Sequence, residues 1–98
     1  MIEIIPASSA AHFSQEQALF GALYTLEFEW IQREKVWTVH IYDGAHAPIA
    51  LGLKISTEWP IFVNREKNWV LRLFSSDTKK ELDVSNLRDF SLIAHEIV

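Results

Sequence analysis

The sequence predicts an all-β domain, a small antiparallel β-sandwich or β-barrel of about seven strands. Two observations carry this reading. First, large apolar and polar side chains alternate repeatedly. In residues 24–30, Tyr24, Leu26, Phe28 and Trp30 share one parity, while Thr25, Glu27 and Glu29 hold the other. Successive strand side chains point to opposite faces, so this pattern buries one face and wets the other. Second, turn residues such as Gly21, Asp43-Gly44 and Asn64 to Asn68 punctuate the alternation at short intervals. Residues 7–18 contain the helix formers Ala and Gln, but their apolar positions make no helical stripe.

Each element follows in order. Residues 2–5 form a short apolar strand that stops at Pro6, which has no N–H for a ladder. Residues 7–12 read as a loop. Residues 13–20 form a strand, and Gly21-Ala22 turns the chain into 24–30. Gln32-Arg33-Glu34-Lys35 is a charged hairpin loop leading to the return strand 36–42. There Trp37, Val39 and Ile41 share one face and Thr38 and His40 the other. Asp43-Gly44 is the next turn, because Gly accepts φ > 0 at little cost. After Pro48, the residues Ile49, Leu51, Leu53 and Ile55 alternate again, and Gly52 marks a bulge or a close backbone approach. Residues 56–63, interrupted by Pro60, form a crossing segment rather than a central strand. A polar turn over 64–68 leads to strand 69–74, with Trp69, Leu71 and Leu73 on one face. Residues 75–80 form a loop, Asp83 or Ser85 caps a single helical turn over 86–88, and 90–97 is the closing strand.

Composition narrows the function classes. The 98 residues make one domain, spanning 1–98. A hydrophobic content of 49% with 22% charge excludes disorder. Four tryptophans help so small a domain fill its core, because large aromatic side chains bury about 150–250 Å² each. The absence of cysteine excludes disulfides and thiolate metal sites. No apolar run approaches the ~20 residues of a membrane span, and no basic region precedes an apolar stretch at the N-terminus, so an intracellular or particle-assembled protein is expected. A net charge of −4 argues against a strong nucleic-acid backbone binder, which shows a basic stripe. Lys79-Lys80, flanked by Asp77 and Glu81, reads as a solvated turn.

No constellation of catalytic, cofactor-binding or metal-binding residues emerges. His12, His40, His46 and His95 form no H-x-H or H-x-x-x-H pair. His40 and His95 lie on strands facing solvent or a subunit neighbour, and His46 sits in a turn. Glu27 and Glu29 lie two apart on one strand face, a spacing that superficially mimics a glycosidase pair, and they read as a wet sheet face. There is no G-x-S-x-G and no P-loop, and Gly21, Gly44 and Gly52 are each explained by a turn or bulge. Ser8-Ser9 and Ser75-Ser76 are loop pairs without a nearby base. Trp30, Trp37 and Trp69 lie in register with apolar neighbours and are assigned to the core. Trp59 stands beside Pro60 outside regular alternation, with Phe62 two residues on. This makes Trp59 and Phe62 the candidate protein-interface residues, with a plug over one end of the fold as the other reading of Trp59.

The order of these signals resembles a known family. An N-terminal Ile-Ile-Pro, a loop, and a strand into a Gly turn come first. A Tyr-x-Leu-x-Phe strand then leads through a charged turn to Val36-Trp37-Thr38-Val39-His40-Ile41-Tyr42-Asp43. A Gly-containing turn, Pro48, a strand ending near Gly52, a further apolar strand, a polar loop, a short turn over 83–87 and a final strand complete it. This is similar to the small baseplate plug family of contractile-tailed phages, the cyanophage-type plug domain, over nearly the whole chain. The sequence departs from that pattern at Thr78-Lys79-Lys80-Glu81-Leu82, where the family has a Gly- and Asp-rich loop, and at the bulkier Trp59-Pro60-Ile61-Phe62.

The resemblance implies a non-enzymatic structural virion protein. It would be the baseplate plug of a contractile tail, contacting the tail tube and the central hub or spike, made in the host cytoplasm and built into the virion tail baseplate. It also implies a symmetric homo-oligomer in the assembled tail, with no cofactor, no specific nucleic-acid binding and no membrane. The competing readings from the residues are a carbohydrate-binding β-sandwich, with Trp59 stacking on sugar rings, and an OB-like single-strand binder, which would need the basic groove this composition lacks.

Overall fold

The alternating stretch around Tyr24 becomes the longest strand, ten residues from Ala22 to Ile31, and it is paired on both sides. The computed structural model describes residues 2–5, 10–74, 82–83, 86–87 and 90–97. Its strands are β1 (Ile2–Ile5), β2 (His12–Leu19), β3 (Ala22–Ile31), β4 (Val36–Asp43), β5 (Pro48–Lys54), β6 (Phe62–Asn64), β7 (Trp69–Phe74) and β8 (Ser91–Glu96). They form two four-stranded sheets, ordered β2-β3-β4-β5 and β1-β8-β7-β6, with every pair antiparallel. Among the described residues no ladder joins one sheet to the other, so of the two architectures the sequence allowed, the molecule is a sandwich. The predicted calls at 6–9, 75–81, Ser85 and Arg88 lie outside the described residues.

Period two sets the core. Tyr24, Leu26 and Phe28 of β3 and Trp37, Val39 and Ile41 of β4 are buried. From the other sheet Trp69, Leu71, Leu73, Leu92 and Ala94 join them in one cluster. Two aromatic groups occupy it. Phe13 stacks on Phe28 at 4.7 Å between ring centroids, and Trp30 meets Trp37 edge-on at 5.9 Å. Tyr24, Phe20 and Phe62 gather round Trp69 at 5.4, 6.5 and 5.6 Å. Offset and edge-to-face contacts of this kind add stabilisation beyond area burial. Of the three tryptophans assigned to the core, Trp37 and Trp69 are fully enclosed and Trp30 is half-buried at its margin.

Residues 55–61 carry the chain from one sheet to the other, so the crossing predicted over 56–63 is present but ends at residue 61, just before β6 begins. The Ile55 N–H donates to the Trp37 carbonyl at 2.9 Å, and the Ile61 N–H donates to the Leu71 carbonyl at 2.8 Å. Both side chains are buried, so the crossing is tied at each end. It delivers β6, three residues long on the sheet edge, a strand that alternation was too short to reveal. Near residue 83, a side chain three residues on reaches back to the backbone, as in the return bond of a capping box. The Asp83 N–H donates to Asn86 Oδ1 at 2.8 Å, and Leu87 and Phe90 are buried behind it.

Three local expectations are corrected. On β5, Val39 pairs with Leu53, Ile41 with Ala50 and Tyr42 with Pro48, so β5 carries an extra residue at two places. Each insertion reverses the parity. Ile49 and Leu51, predicted to share a face with Leu53, stand out in solvent, with Leu51 57% exposed. Gly52 supplies the kink at φ +68°, a bulge as the sequence allowed. In the β4–β5 turn the left-handed residue is His46 (φ +61°) and not Gly44. Asp43 Oδ1 accepts from the Ala45 and Ala47 N–H groups and holds that loop. Finally, Phe20 leaves the strand to form the β2–β3 turn with Gly21, both at positive φ. Two such residues make a type I′ turn, which suits the twist of a two-residue hairpin.

Candidate interaction surface

Histidine and carboxylate side chains meet on the outer face of the β2-β3-β4-β5 sheet. The His12 Nε2 and Glu27 Oε2 atoms lie 2.9 Å apart, and the Tyr42 hydroxyl donates to Glu27 Oε1 at 3.4 Å. The hydrogen bond from His12 holds the Glu27 carboxyl below the usual carboxylate range, opposed by partial desolvation and aided by His40 and Tyr42. Loss of solvent pushes the Tyr42 phenol up, and the neighbouring Glu27 charge adds to the shift. His40 sits directly across from Glu27, and its Nδ1 accepts the Gly52 N–H at 2.8 Å. His40 therefore pins the bulge. Glu27 and Glu29 are half-exposed on an open sheet face, as a wet face requires, and Glu27 meets its partners there. Neither carboxylate lines either of the two grooves described for the molecule. His46 is in its turn, and His95 lies on β8 with Nδ1 3.1 Å from the Glu96 carbonyl oxygen. Among the described residues no group of three or more His, Cys, Asp or Glu side chains is arranged to hold a metal ion.

The apolar surface is where the molecule departs from an ordinary soluble sandwich. Trp59 lies on the crossing segment and is 60% exposed. Phe62 is half-buried on β6, edge-on to Trp69. The structure thus separates the two residues that the sequence grouped, Phe62 leaning into the core and Trp59 standing out. Sequence parity missed Leu23, Ile49 and Leu51, which are also exposed. Gly52 and Pro48 were the available signals that the parity of β5 would break. Leu23 and Ile49 line a groove of about 430 Å³ at the end of the sandwich where the start of β3, the β4–β5 turn and the β6–β7 turn converge. Tyr24, Asn64, Lys67 and the carboxylates Asp43 and Glu66 also line it. On the opposite sheet, Val63 and Phe74 are exposed in the same way.

A two-layer β-sandwich with exposed apolar side chains and open sheet edges belongs to the class of assembly modules. Comparison with protein families gives the particular one. The chain belongs to the family described as cyanophage baseplate Pam3 plug gp18, whose model matches residues 1–95. That membership supports a structural role in a phage tail baseplate, in association with other baseplate components. No curated protein matches the chain.

Proposed function

We propose that this chain is the plug of a contractile-tail baseplate, seated between the tail tube and the central hub or spike and touching both, and that it performs no catalysis. The observation that carries the reading is the family match over residues 1–95 of the 98. In the baseplate the copies form a closed symmetric ring with neighbouring tube and hub proteins, and the chain is made in the host cytoplasm before assembly. Three physical features support this. His12, Glu27 and Tyr42 partner one another on an open sheet face, not in a cleft. Open strand edges suit pairing with neighbouring subunits. A net charge of −4 repels DNA phosphates, as a conduit for DNA requires.

The test is to image tails assembled without this gene product and to reconstruct complete tails. Tails that lack closed baseplates, and density for this sandwich between tube and hub, are the expected results. Intact infectious tails without it would overturn the reading. The 60% exposure of Trp59 also suits a platform for sugar rings. A shift in tryptophan fluorescence on titration with oligosaccharides, absent in Trp59→Ala, would favour that second reading.

A further inference from the structure

The four sheet edges are not equivalent. β1 has four residues and runs into Pro6, β6 has three, and β5 begins at Pro48 and is bulged twice. Short strands, proline and bulges are the devices that stop an edge from pairing. β2 has none of them. It is eight residues long and regular, in unbroken register with β3 from His12↔Glu29 to Leu19↔Ala22. Among the described residues no strand pairs its outer side.

The ladder also shows which groups are open. The Trp30 N–H donates to the Ala11 carbonyl at 2.8 Å, so that pair is hydrogen-bonded. Bonded and non-bonded pairs alternate along an antiparallel ladder. Phe13, Gln15, Gln17 and Leu19 therefore spend their backbone groups on β3, and the N–H and C=O of His12, Ser14, Glu16 and Ala18 point away from it. We infer that β2 is the self-association edge of this protein, and that its occupant in solution is β2 of a second copy, antiparallel about a twofold axis at Ser14.

Two features select this partner and register. Of the four edges, only another β2 offers a regular ladder without bulge or proline, and a twofold axis at Ser14 pairs residues 12–16 of each copy. With Ser14 opposite Ser14 of the second copy, His12 of each chain, whose Nε2 already meets its own Glu27 at 2.9 Å, faces Glu16 of the other on the exposed sheet face, with its Nδ1 left to pair, twice over. Directly opposed residues of complementary charge stabilise a sheet, and like charges oppose it. The pairing joins two four-stranded sheets into one of eight and covers the flank of Phe13, which is half-buried at the edge. A twofold pair is isologous and a ring is heterologous. The pair therefore belongs to the free chain, and it stands or falls separately from the baseplate reading.

Sedimentation velocity of the purified full chain over a range of concentrations tests it. The expected result is reversible conversion of an 11.3 kDa species into one of twice that mass. Glu16→Lys should weaken the dimer at least tenfold. Ser14→Pro should abolish it with circular dichroism and melting temperature kept, because the lost N–H faces the open edge. Crosslinking fixes the register in a chain without native cysteine. Hydrogen-bonded antiparallel partners lie about 5.5 Å apart at Cα, within disulfide reach. Ser14→Cys should form a disulfide dimer under mild oxidation, and Ala18→Cys, about 26 Å from its counterpart by strand rise, should not. A monomer at all concentrations, a dimer that survives Ser14→Pro, or equal crosslinking at both positions would overturn the proposal.

Discussion

The indole N–H of Trp37 donates to the backbone carbonyl of Asp83 at 2.7 Å, linking β4 of one sheet to the segment that precedes β8 of the other. Trp37 is fully enclosed, so the bond satisfies a donor that water cannot reach. Trp69 is equally enclosed, and among the described residues its indole N–H has no partner. Truncating either ring to Phe removes similar bulk, but only Trp37→Phe breaks a bond, and Trp69→Phe removes an unpaired buried donor. Trp37→Phe should therefore be less stable than Trp69→Phe by about 2 kcal/mol, read from urea denaturation. Amide exchange at Asp83 and Asn86 should rise in Trp37→Phe alone. Equal stabilities and unchanged exchange would show that the bond is idle.

Lys35 ends the β3–β4 hairpin at φ +55° with its side chain exposed. A left-handed L-residue costs about 1–2 kcal/mol, and glycine avoids that at some cost in unfolded-state entropy. Lys35→Gly should therefore stabilise the protein by roughly 0.5–1 kcal/mol, raising the melting temperature by about 2–8 °C for a domain this small. Gly21→Ala runs in the opposite sense. Gly21 lies at φ +84° with open space around the added methyl, so the loss of about 1 kcal/mol is backbone strain alone.

The sheets were legible because their alternation is regular. Residues 22–31 and 36–43 put large side chains on one parity without a break, and those side chains form the core. What escaped reading was where the chain breaks its own period. Ile49 and Leu51 obey the alternation on paper, but the two insertions on β5 turn them outward, and an insertion changes pairing without changing the hydrophobic pattern. His46 takes the left-handed site that Gly44 was expected to fill because Asp43 closes the loop from its own side chain. The candidate surface was legible only at Trp59, where proline and broken alternation coincide. Leu23 gave no sign, since an outward leucine at a strand end reads like any other.

Acid should loosen the outer face of the β2-β3-β4-β5 sheet. The His12 hydrogen bond holds the Glu27 carboxyl below its ordinary range, so its folded-state pKa lies under its unfolded one. Such a group stabilises fully above the unfolded value, about 4.3 for Glu, and its contribution is lost as pH falls through the depressed folded value. Stability measured by denaturation from pH 6 downward should therefore fall less steeply in Glu27→Gln than in the parent. The same substitution removes the charge beside Tyr42, so the phenol should titrate closer to its usual range, read from ultraviolet absorbance in alkali. An unchanged acid slope together with an unchanged Tyr42 titration would exclude the cluster.

Trp59 separates assembly from folding. Its side chain is 60% exposed, and it is not among the residues of the buried core or those packed against it. Trp59→Ala should leave stability within about 0.5 kcal/mol of the parent, as surface substitutions do. If the residue anchors a baseplate contact, its loss costs 2 kcal/mol or more of binding, in the manner of an interface tryptophan. Phe62→Ala makes the contrast. Phe62 packs on Trp69, so its removal should lower stability by up to about 3 kcal/mol, since the ring is only half-buried. Complementing tails that lack the gene product with each variant reads both effects. Trp59→Ala should give folded protein that is left out of the baseplate, and its normal incorporation would strip Trp59 of an interface role.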